Sequence, residues 1–197
     1  MTSFRRASVR FAVPCILVTV LMVTTSAANA TTWKLDPGKS QLGFSGTQTG
    51  AKFEGAFAHY NAIIEFDPNH LDTSRIAVAV DLASATTNDK QRDAALPDRD
   101  WFDVAQFPMA KFVSSTIDRK GPGAYEAVGT LTLRGVTRPL TLPFTLEING
   151  TSARAKGHAA LIRSAFGIGQ GSWATDQWVA FDVGIDIDIT ATRELTP

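Results

Sequence analysis

Val179-Ala180-Phe181-Asp182-Val183-Gly184-Ile185-Asp186-Ile187-Asp188-Ile189-Thr190 is the stretch that decides the fold. Successive side chains of a strand point to opposite faces, so Val179, Phe181, Val183, Ile185, Ile187 and Ile189 share one face and Asp182, Asp186, Asp188 and Thr190 the other. Three carboxylates need water, which makes the Ile/Val face the buried one. The same period of two recurs upstream: Ile76, Val78, Val80 and Leu82 alternate with Ala77, Ala79 and Asp81. Leu140, Leu142, Phe144, Leu146 and Ile148 alternate with Thr141, Pro143, Thr145 and Glu147. Further strands are predicted at Gln41 to Gly46, Lys52 to Phe57, Ala62 to Phe66, Ala110 to Ile117, Tyr125 to Arg134 and Ala155 to Arg163. Turn signals separate them. Asn149-Gly150 suits a two-residue hairpin whose central residues both take positive φ, and Gly121-Pro122-Gly123 and Gly135-Val136-Thr137-Arg138-Pro139 turn the chain again. About eight antiparallel strands joined largely as hairpins give an all-β chain, and closing the sheet into an up-and-down β-barrel removes its edges. A two-sheet sandwich is the competing architecture.

The chain has 197 residues, 19 Lys+Arg and 19 Asp+Glu, with 44% hydrophobic residues, the composition of a globular protein. Residues 1–30 read as a cleaved signal peptide: basic Arg5, Arg6 and Arg10, an apolar run from Phe11 to Val23, then Ala28-Asn29-Ala30 before Thr31. The run is 13 residues, short of the roughly 20 that span a bilayer. Ala7 and Ser8 after Arg5-Arg6 are not the apolar continuation of a twin-arginine signal, so the general secretory route and a periplasmic location are expected. Residues 31–197 form a single domain on this reading. Its balance of 16 basic against 19 acidic groups offers no footprint for nucleic acid. The only cysteine, Cys15, follows Pro14 within the leader and leaves with it. The mature chain then has no disulfide, thiol nucleophile or cysteine metal site, and rests on one sizeable apolar core.

Asn88 to Leu96 has no alternation and stops at Pro97, which predicts one short helix. It leads into an irregular connection, Asp100 to Pro108, carrying Trp101, Phe102 and Phe107, a plug suited to one mouth of a barrel. At this point the motifs resemble a known family. Lys90-Gln91-Arg92-Asp93-Ala94-Ala95-Leu96, Trp101-Phe102-Asp103-Val104 with Phe107-Pro108, a strand with Phe112, Gly129 to Pro139 and Arg163-Ser164-Ala165-Phe166-Gly167-Ile168 follow one another as in the YceI-like family of periplasmic polyisoprenoid-binding proteins. The resemblance runs from Trp33 to about Thr192. It implies an extended lipocalin-like barrel around a long apolar ligand, a polyprenyl lipid or an isoprenoid quinone, with no catalytic machinery. Many members carry a His shortly after the position of Phe44, whereas this chain reads Ser45-Gly46-Thr47-Gln48-Thr49-Gly50. Gly169-Gln170-Gly171-Ser172-Trp173 is similar to a subgroup found beside membrane b-type cytochromes, which implies such a cytochrome as a partner.

Phe44, Phe53, Phe57, Trp101, Phe102, Phe107, Phe112, Phe144, Phe166 and Trp173 are the candidate ligand-binding side chains. An eight-stranded barrel is either just filled or holds one small ligand; small inward residues (Ala127 and Gly129 beside Leu131 and Leu133, Gly157 and Ala159 beside Leu161) are expected to leave space. Arg92 and Asp93 contact a ligand head group or tie the helix to the rim. His59, His70 and His158 lack metal-ligand spacing, and Asp67 to Asp72 lacks the ordered ligands of a calcium loop. Gly167 to Gly171 is not a dinucleotide fingerprint, nor Gly43 to Gly46 a nucleophile elbow. No metal or cofactor other than a bound isoprenoid lipid or quinone is expected, and an enzyme reading has no nucleophile or base to name. Two further classes remain: an outer-membrane barrel, disfavoured by the Glu194-Leu195-Thr196-Pro197 ending, and an accessory module docking on a membrane cytochrome with no obligatory ligand. Monomer and homodimer are both compatible with these residues.

Overall fold

The computed structural model describes residues 30–194. The expected leader, with Cys15 and the Ala28-Asn29 part of its cleavage site, lies outside the described residues, as does 195–197. Among the described residues, eleven strand segments make eight barrel strands. β1 (Thr32–Leu35) and β2 (Gln41–Gln48) both pair with β11 (Asp182–Arg193), β1 along Ala191 to Arg193 and β2 along Gly184 to Asp188, so they are halves of one strand. The break is the turn Pro37–Lys39, where proline removes a ladder donor and the Asp36 carboxylate accepts from Gly38 N at 3.1 Å. β3 (Ala51–Phe57) pairs with β2 and β4 (Tyr60–Glu65) with β1. In the same way β5 (Arg75–Asp81) pairs with β4 and β6 (Ala85–Thr86) with β3. The long strands β7 (Met109–Gly121), β8 (Ala124–Leu133), β9 (Val136–Asn149) and β10 (Ser152–Ile162) follow as antiparallel neighbours, and β11 closes on β1. The sequence reading of an all-β up-and-down barrel with one short helix holds, and the sandwich is excluded by this closure. The helix is α1 (Lys90–Ala95), capped by the Asp89 side chain accepting from Gln91 N and Arg92 N at 3.0 Å.

Several local expectations are corrected. Asn149 pairs with Ser152, so the central turn residues are Gly150 and Thr151; only Gly150 has positive φ (62°), at the first central position as in a type II′ turn. The chain turns at Arg134-Gly135 alone (φ 50° and 74°), and Val136 to Pro139 already belongs to β9. The final strand begins at Asp182, and Val179 makes only an isolated bridge to Gln48. β7 carries a bulge between Ser114 and Thr116, after which its buried parity moves from Ala110, Phe112 and Ser114 to Ile117.

Buried side chains form two clusters, one in each half of the barrel. The first contains Trp33, Phe66, Tyr125 and Phe144; the second contains Leu82, Phe102, Leu133, Leu161 and Phe166. Between them the inward side chains do not close the interior.

Candidate functional site

A cavity of about 400 Å³ runs between the two clusters. Each strand contributes its inward row: Leu42 and Phe44 from β2, Phe53 and Phe57 from β3, Tyr60, Ala62 and Ile64 from β4, Ile76, Val78 and Val80 from β5, Phe112 from β7. Leu140, Phe144 and Ile148 come from β9 and Ala155 and Ala159 from β10. The β11 row Val183, Ile185, Ile187, Ile189 and Ala191 lines it from one cluster to the other. Those eight residue steps cover about 26 Å along the strand, or about 20 Å of depth at a tilt of roughly 40°. Val183 to Ile189 are only half-buried although they point inward, because the surface left to them faces the cavity. The deep end is aromatic: Trp33 Nε1 donates to Phe66 O at 2.9 Å, Phe66 meets Tyr125 edge-on at 5.2 Å, and Tyr125 stacks on Phe144 at 5.6 Å. That end buries its one indole donor on a carbonyl and leaves an apolar wall.

The two expected glycine spaces are not cavity. A Cβ at Gly129 would strike the Val113 carbonyl beside the β7 bulge, and one at Gly157 would sit 2.6 Å from Pro143 O. These glycines let neighbouring backbones approach; the room comes from barrel diameter and from the alanines.

The other end is built by two excursions from the barrel. The first, Thr87 to Pro108, carries α1. The Asp93 carboxylate accepts from Thr86 Oγ1, Thr87 N and Thr87 Oγ1 at 2.6–2.7 Å, and these bonds hold its pKa below the ordinary value. Asp93 therefore fastens α1 to β6 and does not line the cavity. Arg92 does line it: Nε donates to Thr87 Oγ1 at 3.1 Å, Nη1 donates to Gln48 Oε1 at 3.2 Å, and the guanidinium lies 4.8 Å from the Phe53 ring centre. The lining continues from Arg92 to half-buried Asp89 and exposed Gln91, which marks the mouth.

The second excursion, 163–181, is organised by Arg163. Inward parity on β10 runs Ala153, Ala155, Gly157, Ala159, Leu161 and then Arg163, whose residue is 1% exposed. Its Nε donates to Ala180 O at 3.0 Å, Nη1 to Ile168 O at 2.8 Å, and Nη2 to the carbonyls of Trp173, Thr175 and Val179 at 2.8–2.9 Å. Burial lowers its pKa, opposed by Asp176, yet a guanidinium remains charged. The charge is spread over carbonyl dipoles and over the faces of Trp101 and Phe181, 5.6 and 5.1 Å away. Gly169 N and Gln170 N donate to Asp100 O at 2.8 Å, Trp101 meets Trp173 at 5.5 Å, and Arg134 donates to Gly167 O and Arg99 O at 2.6 Å. The two excursions are thus joined into one cap.

Of the ten aromatic candidates, Phe44, Phe53, Phe57, Trp101, Phe102, Phe112, Phe144 and Trp173 line the cavity. Phe107 and Phe166 do not. Phe107 lies against Gly135 in the turn between β8 and β9, and Phe166 packs in the second cluster. The three histidines are scattered, each nearest its own carboxylate: His59 by Asp81, His70 by Asp67 and His158 by Asp186. Sequence reading missed Arg163, although a charge on the inward parity of β10 just before Gly167, Gly169 and Gly171 was a usable signal. It also missed Trp33, Tyr60 and Phe66 as wall residues.

Comparison with known proteins agrees with this architecture. The UPF0312 protein of Pseudomonas savastanoi pv. phaseolicola is 31% identical over 153 residues, covering 75% of this chain and 76% of that protein. The crystal structure of Burkholderia cenocepacia BcnA superposes with a TM-score of 0.78 at 33% identity, covering 81% of this chain and 100% of that chain. A polyisoprenoid-binding domain from Saccharophagus degradans shares the fold at 15% identity, with a TM-score of 0.65 over 83% of this chain and 99% of that one. The YceI-like domain profile matches residues 33–191; with its eight-stranded barrel, capped mouth and apolar interior, the chain belongs to the YceI-like family.

Proposed function

We propose that this protein is a periplasmic carrier that encloses one long isoprenoid lipid, a polyprenyl lipid or an isoprenoid quinone, in its barrel. The observation that carries the reading is the single cavity row from Val183 to Ala191, apolar from mouth to floor within a space of about 400 Å³. That volume lies in the range of small-molecule sites, roughly 300–1,000 Å³. Each methylene-sized unit buried is worth about 0.8 kcal/mol, so a few isoprene units outweigh the roughly 4–15 kcal/mol lost on association. Affinity then comes from area along the wall. The polyisoprenoid-binding domain of Saccharophagus degradans, with the same fold, supports the ligand class, and the leader-like residues 1–30 support the compartment.

The test is organic extraction of folded protein released by osmotic shock from its native cells, followed by mass spectrometry. An isoprenoid in roughly one-to-one ratio is the expected result. A fatty-acyl molecule in its place keeps the carrier and replaces the ligand class. An empty barrel that takes up neither added quinone nor added polyprenyl lipid contradicts the carrier and favours a module that docks on a membrane cytochrome.

A further inference from the structure

The barrel wall is not bonded along its whole height. The ladder between β8 and β9 runs unbroken from the Ala124–Thr145 pair to the Leu133–Val136 pair, and it passes through Pro139 and Pro143. A proline cannot donate to a ladder, so both proline nitrogens face the other neighbour, β10. Because backbone groups alternate in direction along a strand, Thr141 and Thr145 face β10 as well.

On that side pairing starts at Asn149–Ser152 and ends at Phe144–Gly157. Pro143 stands at the next place, opposite His158, and in continued register Pro139 falls opposite Ile162. The ladder stops where its donors are missing. β10 itself continues to Ile162, held from its far side by β11 through the Ile162–Asp182 pair. No ladder pair among the described residues joins the β9-facing backbone groups of Ala160 and Ile162 to Thr141. All three residues are exposed, Ile162 by 43%.

Side chains cover this seam in place of hydrogen bonds. Leu140 and Leu142 from β9 and Ala159 and Leu161 from β10 all line the cavity, and Ala159 and Leu161 are buried. At the cap end Arg138 reaches across, its Nε donating to Ala165 O at 2.6 Å. The cap is far better fastened, by the bonds of Arg163, Arg134 and Asp93. Parting β9 from β10 above Phe144 breaks no ladder bond in the wall.

Resting on the carrier reading, we infer that this seam is a side gate through which the apolar ligand crosses the wall. Leu140 and Leu142 part from Ala159 and Leu161 while the cap stays shut. Pro139 and Pro143 keep the gate unbonded, and Arg138 is its clasp.

Two variants move the gate in opposite directions. Pro139→Val combined with Pro143→Val returns a donor to each place and lets β9 zip onto β10; Arg138→Ala removes the clasp. Delipidated protein is mixed with Nile red, a dye that brightens in apolar surroundings, and stopped-flow fluorescence reads its entry and its displacement by an isoprenoid quinone or a polyprenyl lipid. Hydrogen exchange reads the seam. In the wild type the Ala160 and Ile162 amides exchange fast, whereas those of Ala159 and Leu161, facing β11, are protected. The proline double variant protects Ala160 and Ile162 and slows entry and exit together by about tenfold, the weight of two ladder bonds, at unchanged affinity. Arg138→Ala speeds both by about threefold. Protected Ala160 and Ile162 amides in the wild type, or a zipped double variant with unchanged entry, overturns the gate and leaves the carrier standing. If the double variant does not fold or does not protect those amides, Arg138→Ala decides, and unchanged rates overturn the gate. Dye that neither lipid displaces from the wild type removes the carrier and the gate together.

Discussion

Arg163→Met tests the cap from the inside. The side chain keeps its apolar length but surrenders five hydrogen bonds of 3.0 Å or less to the carbonyls of Ala180, Ile168, Trp173, Thr175 and Val179. Hydrogen bonds from a charged donor are each worth roughly 1.5–3 kcal/mol, but the freed carbonyls regain water once the segment opens. A net loss of about 3–5 kcal/mol, the scale for breaking a buried charged arrangement, is the expectation. It should fall on residues 163–181 and not on the barrel, whose ladders do not involve the guanidinium. Hydrogen exchange at the amides of Gly167, Ile168 and Gly169, each bonded within the cap, should accelerate at least a hundredfold, about 2.7 kcal/mol of local opening. Urea unfolding should show a barrel that remains cooperatively folded. Arg163→Lys should recover little, because three donors on one point cannot reach carbonyls arrayed around a planar fork. Unchanged exchange at these three amides in Arg163→Met would refute the role given to this residue.

Gly169→Ala should mimic that loss in part, since φ is 79° and the new Cβ would collide with the Arg163 guanidinium; faster exchange at the Gly169 amide is the readout. Ala155→Trp places a large ring in the cavity beside Ile189 and should abolish uptake of isoprenoid while leaving urea stability within about 1 kcal/mol, because an existing void is filled. Asp93 has a folded pKa below its ordinary value through its bonds to Thr87 and Thr86, so it stabilises above the unfolded value and that contribution is lost as pH falls through the folded one. Stability should decline below about pH 4, and Asp93→Asn should flatten that acid limb; Asp67 and Asp188, also depressed, retain the remainder.

What the sequence made legible follows from periodicity. The alternation around Ile185, Ile187 and Ile189 named the buried face because aspartates cannot share it, and the same logic found most of the long strands. β6, two residues long, and β1, four residues long and cut from β2 by Pro37, carry too little pattern to be read and exist through pairing with distant strands. Phe107 and Phe166 look like Phe102 in sequence; whether an aromatic in a connection faces the lumen or the outside depends on how the excursion folds back. The role of Arg163 was hidden for the same reason, because its partners are backbone carbonyls, which no residue identity reveals.

The central claim is that a chain-like lipid lies along the barrel axis, and contacts between ligand and wall test it most directly. Delipidated protein with labelled isoleucine methyls is loaded with an isoprenoid quinone, and isotope-filtered NOEs are recorded. The account predicts contacts from the lipid to Ile185, Ile187 and Ile189 in one bound molecule, with tail protons reaching the floor beside Phe66 and Phe144. Contacts confined to outward-facing Ile63 and Ile162, with none to the β11 row, would contradict it.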